Sequence, residues 1–145
     1  MDIEAVGVDI SDYALRFGKN VVLADLLSLP FKNESFDFVF CRQVIEHMSS
    51  PEKLIREVYR ILESNGLFYV DTPVTQTHSD VTHYHIHPKS YWKRILNTNG
   101  FEAQEYVLGR GTYLKYLSKL RLEDKFRRVL PMLRNYDCRL LCKKM

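Results

Sequence analysis

Several things are scarce or missing in this 145-residue chain, and each narrows what it can be. No stretch approaches the ~18 consecutive apolar residues needed to span a membrane. The first residues are acidic and carry no long apolar run, so no secretory leader is expected. The chain has three cysteines, Cys41, Cys138 and Cys142, and no CxxC pair. That odd number argues against a disulfide framework and for reduced thiols in a cytoplasmic setting. No internal repeat or low-complexity tract is present, which excludes solenoids and tails. Charge is nearly balanced at +3, too mild by itself to imply a nucleic-acid partner. A Gly-rich turn between a strand and a helix is also missing. The nearest candidate, Gly109-Arg110-Gly111, follows a late strand and lacks the third glycine, which argues against a dinucleotide- or nucleotide-sugar-binding module.

What is present reads as one soluble domain, residues 1–145, with hydrophobic residues at 46% and charged residues at 27%. The central stretch is Ser35 to Pro73. Phe36 to Phe40 is a short apolar run suited to a buried strand. Ser49-Ser50-Pro51-Glu52 is a helix start, with serine for the cap, proline at the first helical position and an acid in the first turn. Leu54, Ile55, Val58, Ile61 and Leu62 then form one apolar stripe, and Asn65-Gly66 predicts the helix end. Leu67 to Val70 is a second strand. Strand, crossover helix and strand in about 35 residues is a βαβ unit, so the sheet is parallel.

Around this unit, Ala5 to Ile10 and Val21 to Ala24 are strands, each running into an acid at its end, Asp9 and Asp25. Ser11 or Asp12 caps a short helix between them. After the central unit comes a polar loop, Val74 to Lys89, holding four of the five histidines. A loop of that length is more often functional than idle. A helix over Lys89 to Thr98 closes at Asn99-Gly100, Phe101 to Leu108 reads as a strand, and Cys138 to Cys142 as a last short strand. Residues 112–136 read as a basic helical insertion, with seven Lys/Arg against two acids. It is either a plain amphipathic packing helix or a lid or anion patch over the acceptor site.

In parallel sheets ligands bind outside the carboxyl ends of the strands. The segments to watch are therefore Asp9 to Ser11, Asp25 to Leu27, Cys41 to His47 and Asp71 to Thr75. His83, His85 and His87 alternate, which on an extended chain sets three imidazoles on one side. A structural zinc site needs four converging ligands, and no cysteine is near in sequence, so no metal site is expected. A single base, His83 or His85, with a pKa near the usual 6.5 suits deprotonating a hydroxyl or amine.

The ordered set VGVDIS, ADLLSLPF, SFDFVFCRQVIEHM, REVYRILESNG and LFYVDTP resembles the class I S-adenosylmethionine-dependent methyltransferases, nearest to their small-molecule subgroup. The resemblance covers roughly residues 5 to 108, and residues 138–143 resemble the family's final antiparallel strand. It implies a Rossmann-like α/β fold: a mostly parallel sheet, flanking helices and a C-terminal antiparallel strand. It implies S-adenosylmethionine as cofactor and a small-molecule methyl acceptor. Asp9 would accept from the ribose hydroxyls and Ile10 would cover the adenine. Asp25 and the Leu26 N–H would read the adenine edge, and Cys41 and Arg42 would line the methionine end. Glu46 and His47 would sit at the floor, near the transferred methyl or the acceptor. The catalytic candidates are His47, His83 and His85.

The chain departs from the family at its start. The strand and GxGxG loop that precede the strand of Asp9 are missing, and that strand belongs between those of Val6 and Val39. Three readings follow: an N-terminally truncated chain, direct pairing of the Val6 and Val39 strands, or a second chain, such as a homo-oligomer partner, covering the gap. A scaffold or dimerisation domain that no longer binds cofactor is the competing function.

Overall fold

The computed structural model describes residues 4–16, 20–75, 81–105 and 138–145. The first two strands are short. β1 (Gly7–Asp9) and β2 (Val21–Leu23) pair in parallel, joined by a 3-10 helix over Asp12–Arg16. Next comes β3 (Phe36–Arg42), followed by a single 3-10 turn, Ile45–His47. Helix α1 (Pro51–Ile61) starts as its sequence dictates: Ser50 caps it, its hydroxyl accepting from the Lys53 N–H at 3.4 Å, and Pro51 stands in the first turn. Leu54, Ile55, Val58 and Ile61 are all buried along one stripe. Each contributes about 1.5–3 kcal/mol of apolar burial.

The end of α1 differs from expectation. The helix stops at Ile61, and β4 (Leu62–Thr72) begins at once. Asn65-Gly66 is not a helix stop but an irregularity inside the strand. Phe36 pairs with Leu62 whereas Phe38 pairs with Leu67, so the residues from Glu63 to Gly66 bulge out of register. Asn65 takes the left-handed φ of 66° that this bulge requires. The same local chemistry, tolerance of positive φ, serves a bulge as well as a helix terminus.

From Leu67 to Thr72 every residue of β4 is buried, as befits a central strand with neighbours on both edges. Helix α2 (Lys89–Thr98) ends at Asn99, with Gly100 at φ +90°. It leads to β5 (Phe101–Glu105) and, after residues outside the described set, to β6 (Cys138–Lys144). The described strands form two sheets, β1-β2 and β3-β4-β6-β5. β3 and β4 are parallel, and β6 runs antiparallel to both β4 and β5. The fold is thus the expected mixed α/β one. Its core joins α1, α2 and the four-stranded sheet, with Trp92, Phe68, Ile55, Leu96 and Leu140 fully enclosed.

Direct pairing of the Val6 and Val39 strands is not what the chain does. Among the described residues β1 pairs only with β2, and β3 only with β4. What ties the β1-β2 sheet to the body is side-chain chemistry. Arg60 of α1 donates bidentately to Glu57, at 2.9 and 2.8 Å, and donates again to the carbonyls of Phe31 and Leu29, at 2.7 and 2.9 Å. Glu57 in turn accepts from the Leu29 N–H at 2.8 Å. This clamp seats the loop after β2 on α1, and Leu26 and Leu27 pack beside it on the core.

The basic segment 112–136, the Gly109-Arg110-Gly111 turn, His78 and the end of the predicted strand at residues 106–108 lie outside the described residues. The cysteines Cys41, Cys138 and Cys142 are free and buried. No helix among the described residues is long and apolar enough to cross a membrane.

Candidate functional site

The parallel pairs β1-β2 and β3-β4 deliver loops at their carboxyl ends, and the predicted site residues stand on them. Asp9 and Asp25 are built alike. Asp9 Oδ1 accepts from the Ser11 N–H at 2.8 Å, and Asp25 Oδ1 accepts from the Leu27 N–H at 2.8 Å. Each acid closes its own turn with one oxygen. A carboxylate offers about four lone-pair sites, so each retains acceptor capacity. Both acids are exposed, and Ile10 beside Asp9 is 74% exposed, an apolar side chain left open at the strand end. Two acceptor groups and an uncovered apolar surface thus stand at the ends of β1 and β2.

Cys41 is a different matter. Burial, with Glu46 nearby, pushes its thiol up to about 12, so it stays protonated and is no nucleophile. Its neighbour Arg42, the last residue of β3, is half-buried. Gln43 then turns the chain at φ 51° while its N–H extends the ladder to the Asp71 carbonyl at 2.8 Å. Asp71, fully buried, is pushed up to about 6 by desolvation, opposed first by Arg139, whose Nε lies 4.0 Å from Oδ2.

Beyond Gln43 lies the most concentrated chemistry. Glu46 is fully buried, although it sits one residue from a half-buried histidine. Its Oε2 accepts from the Thr72 hydroxyl of β4 at 3.1 Å. Among the described residues no donor reaches Oε1. The Glu46 carbonyl accepts from the N–H groups of Tyr84 and His85, at 3.0 and 3.1 Å, and so pins the histidine loop over the end of β3. That anchoring brings His83 edge-on against His47, ring centroids 4.7 Å apart. His47 Nδ1 lies 3.0 Å from the Thr82 carbonyl and 3.1 Å from its hydroxyl. A carbonyl can only accept, so that contact places the proton on Nδ1 and the lone pair on Nε2. Glu46, His47 and His83 each present a donor atom within 4.8 Å of the others.

The three alternating histidines therefore do not act together. His83 joins Glu46 and His47, while His85 packs with His87 at 5.7 Å and His87 stacks on Tyr91 at 3.9 Å. Burial, with His85 nearby, holds His87 below the usual imidazole range. Of the catalytic candidates His47 and His83 are brought together and His85 is not. Sequence reasoning missed Thr72, which holds Glu46, and Thr82, which holds His47. Only the pairing of β3 with β4 and the fold-back of the loop make them neighbours.

Residues 2–70 match the family described as a methyltransferase domain. The chain is 25% identical to ajmaline N-methyltransferase of Rauvolfia serpentina over 84% of its own length and 45% of that protein. It is 38% identical to a probable S-adenosylmethionine-dependent methyltransferase of Mycobacterium tuberculosis over 66% of its own length and 36% of that protein. A tRNA U34 carboxymethyltransferase of Campylobacter concisus is 31% identical over 57% of this chain and 28% of that protein. Among solved structures, a SAM-dependent methyltransferase from Archaeoglobus fulgidus superposes with a TM-score of 0.66 at 21% identity, covering 98% of this chain and 76% of that one. Over residues 2–70 the chain is thus similar to a methyltransferase domain, and its fold is the Rossmann-like one of S-adenosylmethionine-dependent methyltransferases. It spans less than half the length of the curated relatives it matches. In this fold, Asp9 and Asp25 stand at the ends of neighbouring strands, and Glu46, His47 and His83 cluster at the end of β3.

Proposed function

We propose that this chain binds S-adenosylmethionine across the carboxyl ends of β1, β2 and β3 and transfers its methyl group to a small-molecule acceptor. The observation that carries the reading is the matched pair of strand-end acids. Asp9 and Asp25 sit on adjacent parallel strands in the same turn, beside an exposed Ile10. The cofactor supplies a methyl already activated as a sulfonium, so little covalent help is asked of the protein. Asp9 holds the ribose hydroxyls, Ile10 covers the adenine, and Asp25 with the Leu26 N–H reads its edge. Cys41 and Arg42 contribute backbone groups to the methionine end. The acceptor then lies towards Glu46, His47 and His83, which cluster at the end of β3. Similarity to ajmaline N-methyltransferase over 84% of the chain supports a small molecule over a nucleic acid, since the tRNA-modifying relative matches a shorter span.

Calorimetric titration with S-adenosylhomocysteine tests the cofactor reading. Binding at micromolar strength, about −8 kcal/mol, is expected. Asp9→Ala should weaken it at least ~10-fold while leaving the melting temperature in place, because Asp9 is exposed and its backbone bonds survive. Unchanged affinity in Asp9→Ala sinks the ribose assignment. No binding by the parent chain sinks the cofactor reading and favours a scaffold.

A further inference from the structure

We propose that Glu46, His47 and His83 form a binding site for a divalent first-row transition-metal ion. Three observations converge on it. First, the donor atoms of the three residues lie within 4.8 Å of one another, although they come from two separate segments of chain. A zinc-like ion, bound at about 2.0–2.2 Å by nitrogen or oxygen, would draw such donors to about 3–3.5 Å apart, a closure within reach of side-chain rotation. Second, Glu46 is fully buried with Oε1 met by no donor among the described residues. A buried carboxylate oxygen with no compensating group costs on the order of 1–3 kcal/mol, more if ionised, and a bound cation removes that cost. Third, His47 Nδ1 is engaged by the Thr82 carbonyl, and Glu46 Oε2 by the Thr72 hydroxyl. Outer hydrogen bonds of this kind fix a metal-binding histidine in its tautomer and hold a ligating carboxylate still.

Two imidazoles and one carboxylate suit zinc, iron, cobalt or manganese better than calcium or magnesium, which prefer oxygen alone. Three protein ligands leave coordination positions open, and the half-buried histidines leave a route to them. An oxygen or nitrogen of a bound small molecule fits there. Three donor atoms gathered within 4.8 Å suit a cation and are more than a single base needs. The metal site itself does not depend on the cofactor reading. The open positions serve the methyl acceptor only if that reading holds.

The test is titration of the full chain with Co²⁺, followed by its visible absorption and by calorimetry. One ion per chain at micromolar affinity is expected. His83→Ala and His47→Ala should each weaken binding by ten-fold or more, whereas His85→Ala should leave it unchanged. Affinity should fall on acidification, as protons compete with the metal for its ligands. Glu46→Gln is the harsher variant because of its burial, so the histidine variants, checked for unchanged thermal melting, decide. Absence of binding up to millimolar Co²⁺, or binding that survives both His47→Ala and His83→Ala, overturns the proposal. S-adenosylhomocysteine titrated in the presence of a chelator reads the cofactor site separately, so loss of one result does not carry the other with it.

Discussion

Arg60 shows how much one side chain can organise. It donates to the carboxylate of Glu57, three residues before it, and to two loop carbonyls about thirty residues away in sequence. The short side-chain pair holds Glu57 below the usual carboxylate range and Arg60 above its own. Both groups are less than a third exposed. Hydrogen bonds to charged groups in such a setting are worth about 1.5–3 kcal/mol each in net terms. Arg60→Ala should therefore destabilise the chain by about 2–4 kcal/mol in urea unfolding. Arg60→Lys should recover less than half of that, because a single ammonium cannot serve the carboxylate and two carbonyls together. A cost under about 0.5 kcal/mol would mean that the clamp is solvated and idle. In the sequence, Leu29-Pro30-Phe31 reads as a turn over the sheet edge, and the Glu57 to Arg60 spacing only as part of a resemblance. The structure supplies their physical reason. The paired acids at Asp9 and Asp25 were legible because strand ends are legible. The partnership of Glu46 with Thr72 was not, since it needs two strands in register.

Helix α2 was read to the residue, because Pro88 and Asn99-Gly100 act locally at its two ends. The end of α1 was misread for an equally local reason. Asn-Gly announces a left-handed residue without saying whether a helix ends or a strand bulges. Leu62, fully buried and paired with Phe36, settles the matter in favour of the strand. The bulge in turn makes Gly66 indispensable. A Cβ there would lie 2.8 Å from the Glu63 carbonyl oxygen and 3.1 Å from a methyl of Leu62. Gly66→Ala should cost about 1–3 kcal/mol by chemical denaturation, since backbone rather than a flexible side-chain tip must move. A neutral effect would mean that the bulge relaxes freely. The histidine loop was legible as a functional segment by its length, but the division of its imidazoles between two neighbourhoods came only with the fold.

At the scale of the whole molecule, the two sheets are unequal. β3, β4, β5 and β6 share one core with α1 and α2, whereas no residue of β1 or β2 is buried. Local stability follows buried contact, so the two parts should open at different cost. Amide hydrogen exchange should find the N–H groups of Val22 and Leu23 exchanging at least ~100-fold faster than those of Phe68, Tyr69 and Val70. Equal protection would show that the parts open as one unit. The βαβ unit made the parallel sheet readable, and the family resemblance supplied its final antiparallel strand. It left open how the strand of Val6 meets the strand of Val39. The structure excludes their direct pairing and hands the connection to the Arg60 clamp.

The placement of β6 has a consequence for how the chain is born. It lies between β4 and β5 and is hydrogen-bonded to both, yet it is made last of the three. Until Cys138–Lys144 is available, β4 lacks on one edge the neighbour it has in the fold, and β5 lacks its pairing to β6. The sheet cannot close until the final strand slides into a slot already flanked on both sides. Until then, the fully buried aromatic residues Phe68 and Tyr69 depend on whatever covers that slot in the interval.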